Sequence, residues 1–359
     1  MLNKIDRYIL KNFLLTFLVC ILMFTIIAVV IDYTEKVQDF VKHKVSFYEI
    51  LIYFRNFIPH IVALLFPIFI FVSVILFTSR MAARSEFVAI LSTGIEFKRM
   101  MRPYFVGAGI ICFLLLLANH FVIPRTNKQR LDFESKYTGS NRVENNIKET
   151  YLKLNDSQYV NFNSYRRTSN MGYGFNYNLI EGNLLKEKIF AARTSYDSIK
   201  SEWILYDVKR RVNNGIKERF EQKAEHRISF DLKPEELFQE RKAREHMSTA
   251  ELNSFLDRER KKGRQGLSEY ELEKHRRTSA PFSAFVLSII GACIAYKKVR
   301  GGSGMHLALG LIISAAYIVF MQFSTTFAIK GNLSPLMAVW LPNIVFSIVA
   351  LVIYFRAKR

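Results

Sequence analysis

Six long runs of uncharged, mostly apolar residues constrain this chain more than any other feature of its sequence. The runs are residues 12–31, 56–79, 103–124, 278–296, 304–329 and 331–355. An apolar run of about 20 residues crosses the hydrocarbon core of a bilayer as a helix. The core of a soluble protein does not need several such runs. The sequence therefore predicts an integral membrane protein, α-helical in its membrane part, with six spanning helices.

The orientation of these helices follows from the charges between them. Six spans put both termini on the same side of the membrane. Among the short segments, those on the side of the termini carry most of the Lys and Arg, for example Arg80, Lys98, Arg99 and Arg102. Short cytoplasmic segments are enriched in these residues. We therefore expect cytoplasmic N- and C-termini, and we expect the long segment 125–277 to lie outside the cytoplasm.

The strongly basic composition has the same origin. The formal net charge is +20 at pH 7, which by itself could indicate a nucleic-acid partner. The Lys and Arg residues cluster at the ends of the apolar runs, as expected of residues that fix membrane orientation. We therefore expect no nucleic-acid partner.

The long segment reads first as β structure and then as helix. Tyr173, Phe175 and Tyr177 alternate with small or polar residues, as half-buried strands do. Residues 159–165, 203–208 and 228–232 are further candidate strands. Helical signals follow, with a capping box at residues 248–251 and a second short helix at about 268–277. The predicted order is a membrane part at 1–124, a β domain at 125–247, connecting helices at 248–277 and a second membrane part at 278–359.

The sequence offers no catalytic motif. It lacks a G-x-x-x-x-G-K-[ST] phosphate loop, C-x-x-C, H-E-x-x-H and G-x-S-x-G, and its seven His are scattered. We therefore expect no catalytic residues, no metal and no cofactor. If the protein does work on a substrate, the energy must come from a partner.

A cytoplasmic segment at about residues 80–94 is more informative. Phe87, Ile90 and Leu91 fall at i, i+3 and i+4, which predicts the apolar face of a short helix. Gly94 is a plausible end of this helix, and Glu86 is the one acid in a basic stretch. One interpretation is a helix that lies on lipid headgroups. The other is a docking helix whose apolar ridge and carboxylate fit a cytoplasmic partner.

Two features near the predicted outer face are also notable. Lys36, Lys42 and Lys44 follow the first span, either as part of a solvated, charge-mixed helix end or as a basic edge that binds phosphate. Pro59 and Pro67 in the second span predict a kinked helix.

Several motifs and their order resemble the LptF/LptG (YjgP/YjgQ) permease family. The matching stretches are SEFVAILSTG at 85–94, VIPRTN at 122–127, MSTAEL at 247–252, HRRTSAPF at 275–282 and RGGSGMHL at 300–307. The resemblance extends over essentially the whole chain. It implies that the β domain is a periplasmic jellyroll and that the membrane is the inner membrane of a Gram-negative bacterium.

The resemblance also implies a function. Members of the family are permease subunits of an ABC transporter that extracts lipopolysaccharide from the inner membrane and passes it to a periplasmic bridge. The implied partners are an LptB-like ATPase dimer, a paralogous permease and an LptC-like single-span protein. Glu86, with Arg84, Phe87 and Leu91 beside it, is then expected to contact the ATPase. The first and fifth spans are expected to form lateral gates.

The lysine cluster has a counterpart within the family. Lys36, Lys42 and Lys44 resemble the basic cluster that meets lipid phosphates in the LptG branch, so the chain looks more LptG-like. Two other classes of function stay open. A secondary transporter driven by an ion gradient predicts acids buried within the spans, and the uncharged runs contain none. A non-transporting scaffold predicts that no ATPase associates.

Overall fold

The computed structural model describes most of the chain and gives it two compact units. Described are residues 3–138, 146–155, 157–166, 169–182, 184–198, 200–213, 218–230, 232, 234, 243–261, 267–297, 303–331 and 333–358. The first unit, here called the membrane unit, comprises Met1–Thr138, Arg244–Leu252 and Ser268–Arg359. The second, here called the β unit, comprises Gly139–Ala243 and Asn253–Leu267.

Helices make up the membrane unit. They are α1 (Lys4–Lys42), α2 (Phe47–Leu64), α3 (Phe66–Ala83), α4 (Glu86–Ser92), α5 (Phe97–Leu117), a π-helix (Ala118–Val122), α6 (Ile123–Tyr137), α7 (Ala243–His246), α8 (Thr249–Lys261), α9 (Ser268–Ala295), α10 (Ser303–Lys330) and α11 (Pro335–Lys358). Helices α7 and α8 run across the boundaries of the two units. Within the described residues, six helical stretches are long and apolar enough to cross a membrane, and each contains one predicted run or most of it.

The second predicted span is broken rather than merely kinked. Helix α2 ends at Leu64 and α3 begins at Phe66, with Pro67 in its first turn. Proline is tolerated in the first turn because its missing N–H has no partner there in any case. Pro59 lies inside α2. The predicted irregularity is therefore confirmed, and the break itself falls at Leu65.

Helix α9 corrects one prediction. The sequence indicated a short helix at about 268–277 and a separate span after it, but a single helix runs from Ser268 to Ala295 through Pro281. A proline inside a helix leaves the carbonyl four residues earlier, here that of Arg277, without its usual donor. The side-chain amide of Asn119 donates to this carbonyl at 2.9 Å, and that of Asn343 donates to the carbonyl of Ser279 at 2.8 Å. The amide of Asn119 replaces the donor that Pro281 removes, which explains why the helix continues.

The middle of the membrane unit is formed by α3 and α9. In the most apolar stretch of each helix, 78% is buried for α3 and 67% for α9, compared with 11% for α1 and 22% for α10. Gly291 and Gly310 let neighbouring helices approach closely, since a Cβ at Gly310 would lie 2.4 Å from Ile75. Small residues commonly serve this purpose where membrane helices pack. Helices α1 and α10 therefore keep most of their apolar surface uncovered within this chain.

The β unit contains an antiparallel sheet in which every strand pairs with its neighbours in sequence. Among the described residues it has six strands, in the order β1-β2-β3-β4-β5-β6. They are β1 (Asn146–Lys153), β2 (Gln158–Arg166), β3 (Met171–Glu181), β4 (Leu184–Asp197), β5 (Glu202–Asn213) and β6 (Glu218–Ile228). The predicted strands at 159–165 and 203–208, and the one that contains Tyr173, Phe175 and Tyr177, are confirmed. The sheet begins later than the predicted boundary at residue 125, because helix α6 continues to Tyr137.

A crease crosses the sheet. Inward-facing positions are two residues apart along a regular strand, but here the spacing changes to three, from Phe162 to Tyr165 in β2 and from Gly172 to Phe175 in β3. Gly174 and Asp207, which lie on the crease, have positive φ of 62° and 56°. The crease is the line of residues, one in each strand, at which the regular spacing changes. By the register of the strand pairs these residues are Glu149, Asn163, Gly174, Ala192, Asp207 and Ala224.

An aromatic core fills one face of the sheet. Phe162, Phe175 and Trp203 are completely buried, and Tyr177 is nearly so, whereas Tyr173 is partly exposed. The predicted strand at 228–232 is wrong beyond Ile228, where β6 ends. The chain instead crosses the core: the Phe230 ring stacks on Trp203 at 5.7 Å, and the indole N–H of Trp203 donates to the carbonyl of Leu232 at 2.9 Å.

Candidate functional site

The short helix α4 is set off from α3 by a sharp turn. Ser85, between the two helices, has a left-handed backbone with φ of 59°, and Gly94 beyond the helix has φ of 83°. The amide of Gly94 donates to the carbonyl of Leu91 at 3.0 Å. The predicted helix and its glycine stop are therefore confirmed, with bounds of Glu86–Ser92.

The apolar ridge of α4 faces the protein itself. Phe87 is completely buried, and its ring lies 6.1 Å from that of Tyr296. Ile90 and Leu91 pack against the same core. Burial of a large aromatic side chain stabilises its position by about 1.5–3 kcal/mol, so this ridge fastens α4 to the spans. The ridge that the sequence suggested for a partner is thus already covered within the chain.

A charged and small-residue surface remains available on α4. The Glu86 carboxylate is 28% exposed and accepts a hydrogen bond from the Tyr8 hydroxyl at 3.1 Å. The Arg84 guanidinium lies 3.7 Å from it and is 72% exposed. Val88 and Ala89 are also exposed. A partner that approaches here meets one carboxylate beside small side chains, and an incoming cation could take the place of Arg84 at little loss because exposed pairs contribute about 0–1 kcal/mol.

Lys36 belongs to a buried polar network at the other end of α1. Its ammonium, 14% exposed, contacts Asp32 at 2.7 Å, Glu134 at 3.2 Å and the hydroxyl of Tyr53. Glu134 also accepts from Arg130 at 2.9 Å. Tyr53 donates to Asp32 at 2.8 Å. Burial together with the nearby carboxylates raises the pKa of its phenol, so it keeps its proton. The network joins α1, α2 and α6.

Lys42 and Lys44 have a different environment from Lys36. Both are exposed at the turn between α1 and α2, where Lys44 has φ of 49°. In the part of the chain that the structure describes, neither forms an ion pair. Phe47 and Tyr48 beside them are also largely exposed. The structure therefore divides the predicted basic cluster into one lysine with two anionic contacts, Lys36, and two lysines that face outward.

The network also contains residues that the sequence analysis did not select. Arg130 and Glu134 are nearly completely buried, and Arg130 reaches Glu245 of α7 at 3.5 Å. Their i, i+4 spacing typically allows an ion pair within a helix, and it was the one feature of the sequence that indicated this contact. Tyr53 had no such signal, because its partners come from distant parts of the chain.

A cavity of about 80 Å³, lined by both apolar and charged side chains, lies beside the break between α2 and α3. Its walls include Pro67, Asn119, Glu273 and Arg277. The Arg277 guanidinium donates to Glu273 at 3.1 Å and to the carbonyl of Arg244 at 3.0 Å. Asn119 lies in the π-helix, and such helices are frequent at functional positions. The cavity is large enough for water and has the polar partners that a buried water requires.

These features define a class of protein: a multi-pass membrane protein with an antiparallel β unit in its sequence and a short helix held against the ends of its spans. Residues 7–356 match the family model described as "Lipopolysaccharide export system permease LptF/LptG". The chain therefore belongs to this family, whose members are permease components of the lipopolysaccharide export system. No curated protein matches the sequence. The family description includes both LptF and LptG, and the match does not separate the two.

Proposed function

We propose that this chain is a permease subunit of an ABC transporter that extracts lipopolysaccharide from the inner membrane and passes it to a periplasmic bridge, while a partner ATPase hydrolyses ATP. The family match over residues 7–356 carries the proposal. Lipid extraction needs such coupling, since each buried CH₂ group contributes about 0.8 kcal/mol that must be overcome when an acyl chain leaves the bilayer.

In this proposal both termini are cytoplasmic and the β unit is periplasmic. The support is the excess of Lys and Arg in the short segments on the side of the termini. The contact between Asp6 near the start of α1 and Arg99 near the start of α5, at 2.7 Å, agrees with two helix ends on the same side. The exposed side of α4 would then face the cytoplasm, where an ATPase could reach it.

Helix α4 is proposed as the coupling element. Glu86 and Arg84 would contact the LptB-like ATPase, with Val88 and Ala89 forming the apposed surface. Phe87 and Leu91 would act from below as anchors, because their side chains pack into the core of this chain. A movement of α4 would be transmitted to the spanning helices through these two side chains.

The β unit is proposed to receive the lipid in a jellyroll-like arrangement. Its support is the creased antiparallel sheet whose aromatic face could shield acyl chains. In the structure this face is closed over Phe175 and Trp203 by Phe230 and Leu232. Passage of lipid along this face would require that segment to move away.

The lipid-phosphate role is proposed for Lys42 and Lys44, which are exposed. Lys36, the third residue of the predicted cluster, is engaged by Asp32 and Glu134 and could meet a phosphate only if these contacts opened. The assignment to the LptG branch used all three lysines, so it now rests on Lys42 and Lys44 alone. The paralogous permease and the LptC-like protein remain proposed partners for the uncovered faces of α1 and α10.

The decisive experiment is co-purification of the tagged, full-length protein with endogenous partners, followed by an assay of ATP hydrolysis. The wild type is expected to bring down an ATPase, and Glu86→Arg to lose it. Glu96→Arg is the matched control, because Glu96 is an exposed acid in the same segment. If the wild type captures no ATPase, the transporter function loses its support. If both variants lose it equally, the special role of Glu86 is refuted.

A further inference from the structure

A groove on the membrane unit combines an apolar wall with a basic end. Its volume is about 780 Å³, within the range of roughly 300–1,000 Å³ that ligand sites occupy. It is formed by residues of α1, α5, α9 and α11. The lining residues are Asp6, Lys98, Arg99, Met101, Arg102, Phe105, Val106, Phe285, Val286, Ile289, Ser347, Ala350, Leu351 and Tyr354.

The basic end of the groove carries two exposed cations. Arg99 is paired with the buried carboxylate of Asp6 at 2.7 Å. Lys98 and Arg102 are exposed, and neither has an ion pair among the described residues. Residues four apart in a helix lie on one face, about 6 Å apart. The two cations therefore stand one turn apart beside the groove with no ion-pair partner in the part of the chain that the structure describes, an arrangement suited to a phosphate.

The apolar wall continues from the cations along the same helix. Phe105 and Val106 lie about two turns further on, at a rise of about 10–12 Å from Lys98. The Phe105 ring packs at 4.8 Å from that of Phe285 on α9, and Leu351 of α11 lies on the other side, 55% exposed. Charge at one end and an open apolar channel along the rest match an amphiphile with an anionic headgroup.

We propose that this groove binds an anionic phospholipid, with its phosphate at Lys98 and Arg102 and an acyl chain along Phe105 and Leu351. Basic pockets between membrane helices on the cytoplasmic side recognise such headgroups. The placement in the cytoplasmic leaflet rests on the topology given under the proposed function, whereas binding itself does not. A partner's apolar helix would fit the wall but would leave both cations without a counter-charge, so a lipid is the occupant that satisfies the whole groove.

Native mass spectrometry of the purified full-length protein, titrated with phosphatidylglycerol or phosphatidylcholine, tests the proposal. Phosphatidylglycerol is expected to bind more tightly. Each cation near a lipid surface contributes about 1 kcal/mol, so Lys98→Gln/Arg102→Gln is expected to weaken binding by about 30-fold. The control Lys4→Gln/Lys11→Gln removes two exposed cations of the same region that do not line the groove, and it is expected to leave binding unchanged.

A second variant separates the groove from a merely basic surface. Leu351→Trp fills the channel at an exposed position and is expected to weaken phosphatidylglycerol binding while both cations remain. Equal binding of the two lipids, an equal loss in both cation variants, or full binding by Leu351→Trp would each overturn the proposal. Displacement of the bound lipid by the apolar helix of a partner protein would also overturn the proposal. None of these outcomes depends on ATPase capture, so failure here and failure of the proposed function can be told apart.

Discussion

Two glycines of the β unit have the same backbone conformation but different surroundings, which makes the crease in the sheet testable. Gly174 and Gly182 both have φ of 62°. A Cβ at Gly174 would lie 2.4 Å from the side-chain nitrogen Nδ2 of Asn163 and 2.9 Å from the Cβ of Asn163. A Cβ at Gly182 would meet nothing within 4 Å. Replacing each glycine by alanine therefore adds the same backbone strain, and only Gly174→Ala adds a collision.

The size of the two effects can be worked out separately. A left-handed backbone costs a residue with a Cβ about 1–2 kcal/mol, and the stiffer unfolded chain returns about 0.4–1 kcal/mol. Gly182→Ala should thus lower the free energy of unfolding by about 1 kcal/mol. Overpacking adds about 1–3 kcal/mol, so Gly174→Ala should lower it by about 2–4 kcal/mol. The Cβ of Asn163 is part of the collision, so rotation of that side chain cannot relieve it entirely.

The assay is denaturant unfolding of the full-length protein in detergent, followed by tryptophan fluorescence. The chain has two tryptophans, and a Trp340→Phe background leaves the buried Trp203 as the reporter of the β unit. Gly174→Ala should unfold at a clearly lower denaturant concentration than Gly182→Ala. The double variant Asn163→Gly/Gly174→Ala should return most of the difference, since it removes the colliding side chain. Equal midpoints for the two alanine variants, or no recovery in the double variant, would refute the steric account of the crease.

Three further outcomes are expected. Lys36→Met should lower the melting temperature in detergent, because removing one member of a buried ion pair costs about 3–5 kcal/mol, while Lys42→Met should not change it. Asn119→Ala should also lower the melting temperature, by an amount that reflects about 1–3 kcal/mol for the Arg277 carbonyl left without a donor. Burial and neighbouring cations hold the pKa of His226 below its ordinary 6.5. The β unit should therefore lose stability as the pH falls below 6.5, because protonation then favours the unfolded chain. Unfolding midpoints measured at pH 7.5 and 5.5 should differ less for His226→Gln than for the wild type.

The spans and three of the strands were predictable because their signals are local. An uncharged run of about 20 residues has few alternatives to a membrane helix, and the alternation around Phe175 shows which side of its strand is buried. The continuous α9 was not predictable, because the donor that replaces the missing N–H of Pro281 is Asn119, 158 positions away from the carbonyl it serves. Likewise, nothing local in the sequence signals the positive φ of Asp207 on the crease.

The candidate site shows the same division between local and distant information. The existence of α4 and its end at Gly94 follow from periodicity and glycine chemistry. Which face of α4 is free does not follow from the sequence, because the core that covers Phe87 is built partly from Tyr296, more than 200 residues later in the chain. Lys36 was grouped with its neighbours in sequence, but its contacts with Tyr53 and Glu134 make its environment unlike theirs.

Helix α1 is held at both ends by ion pairs, and between them one of its faces packs on α3 through Phe24 while the rest is largely uncovered. At one end Asp6 pairs with Arg99, and at the other Asp32 and Lys36 join the buried network with Glu134. Between them, apolar side chains from Leu15 to Ile31 are largely exposed. If α1 forms a lateral gate, as the sequence resemblance led us to expect, it cannot swing outward as a rigid rod while both ends are held. Opening toward the side of Lys36 must break that network, so Lys36→Met should loosen the gate as well as the fold.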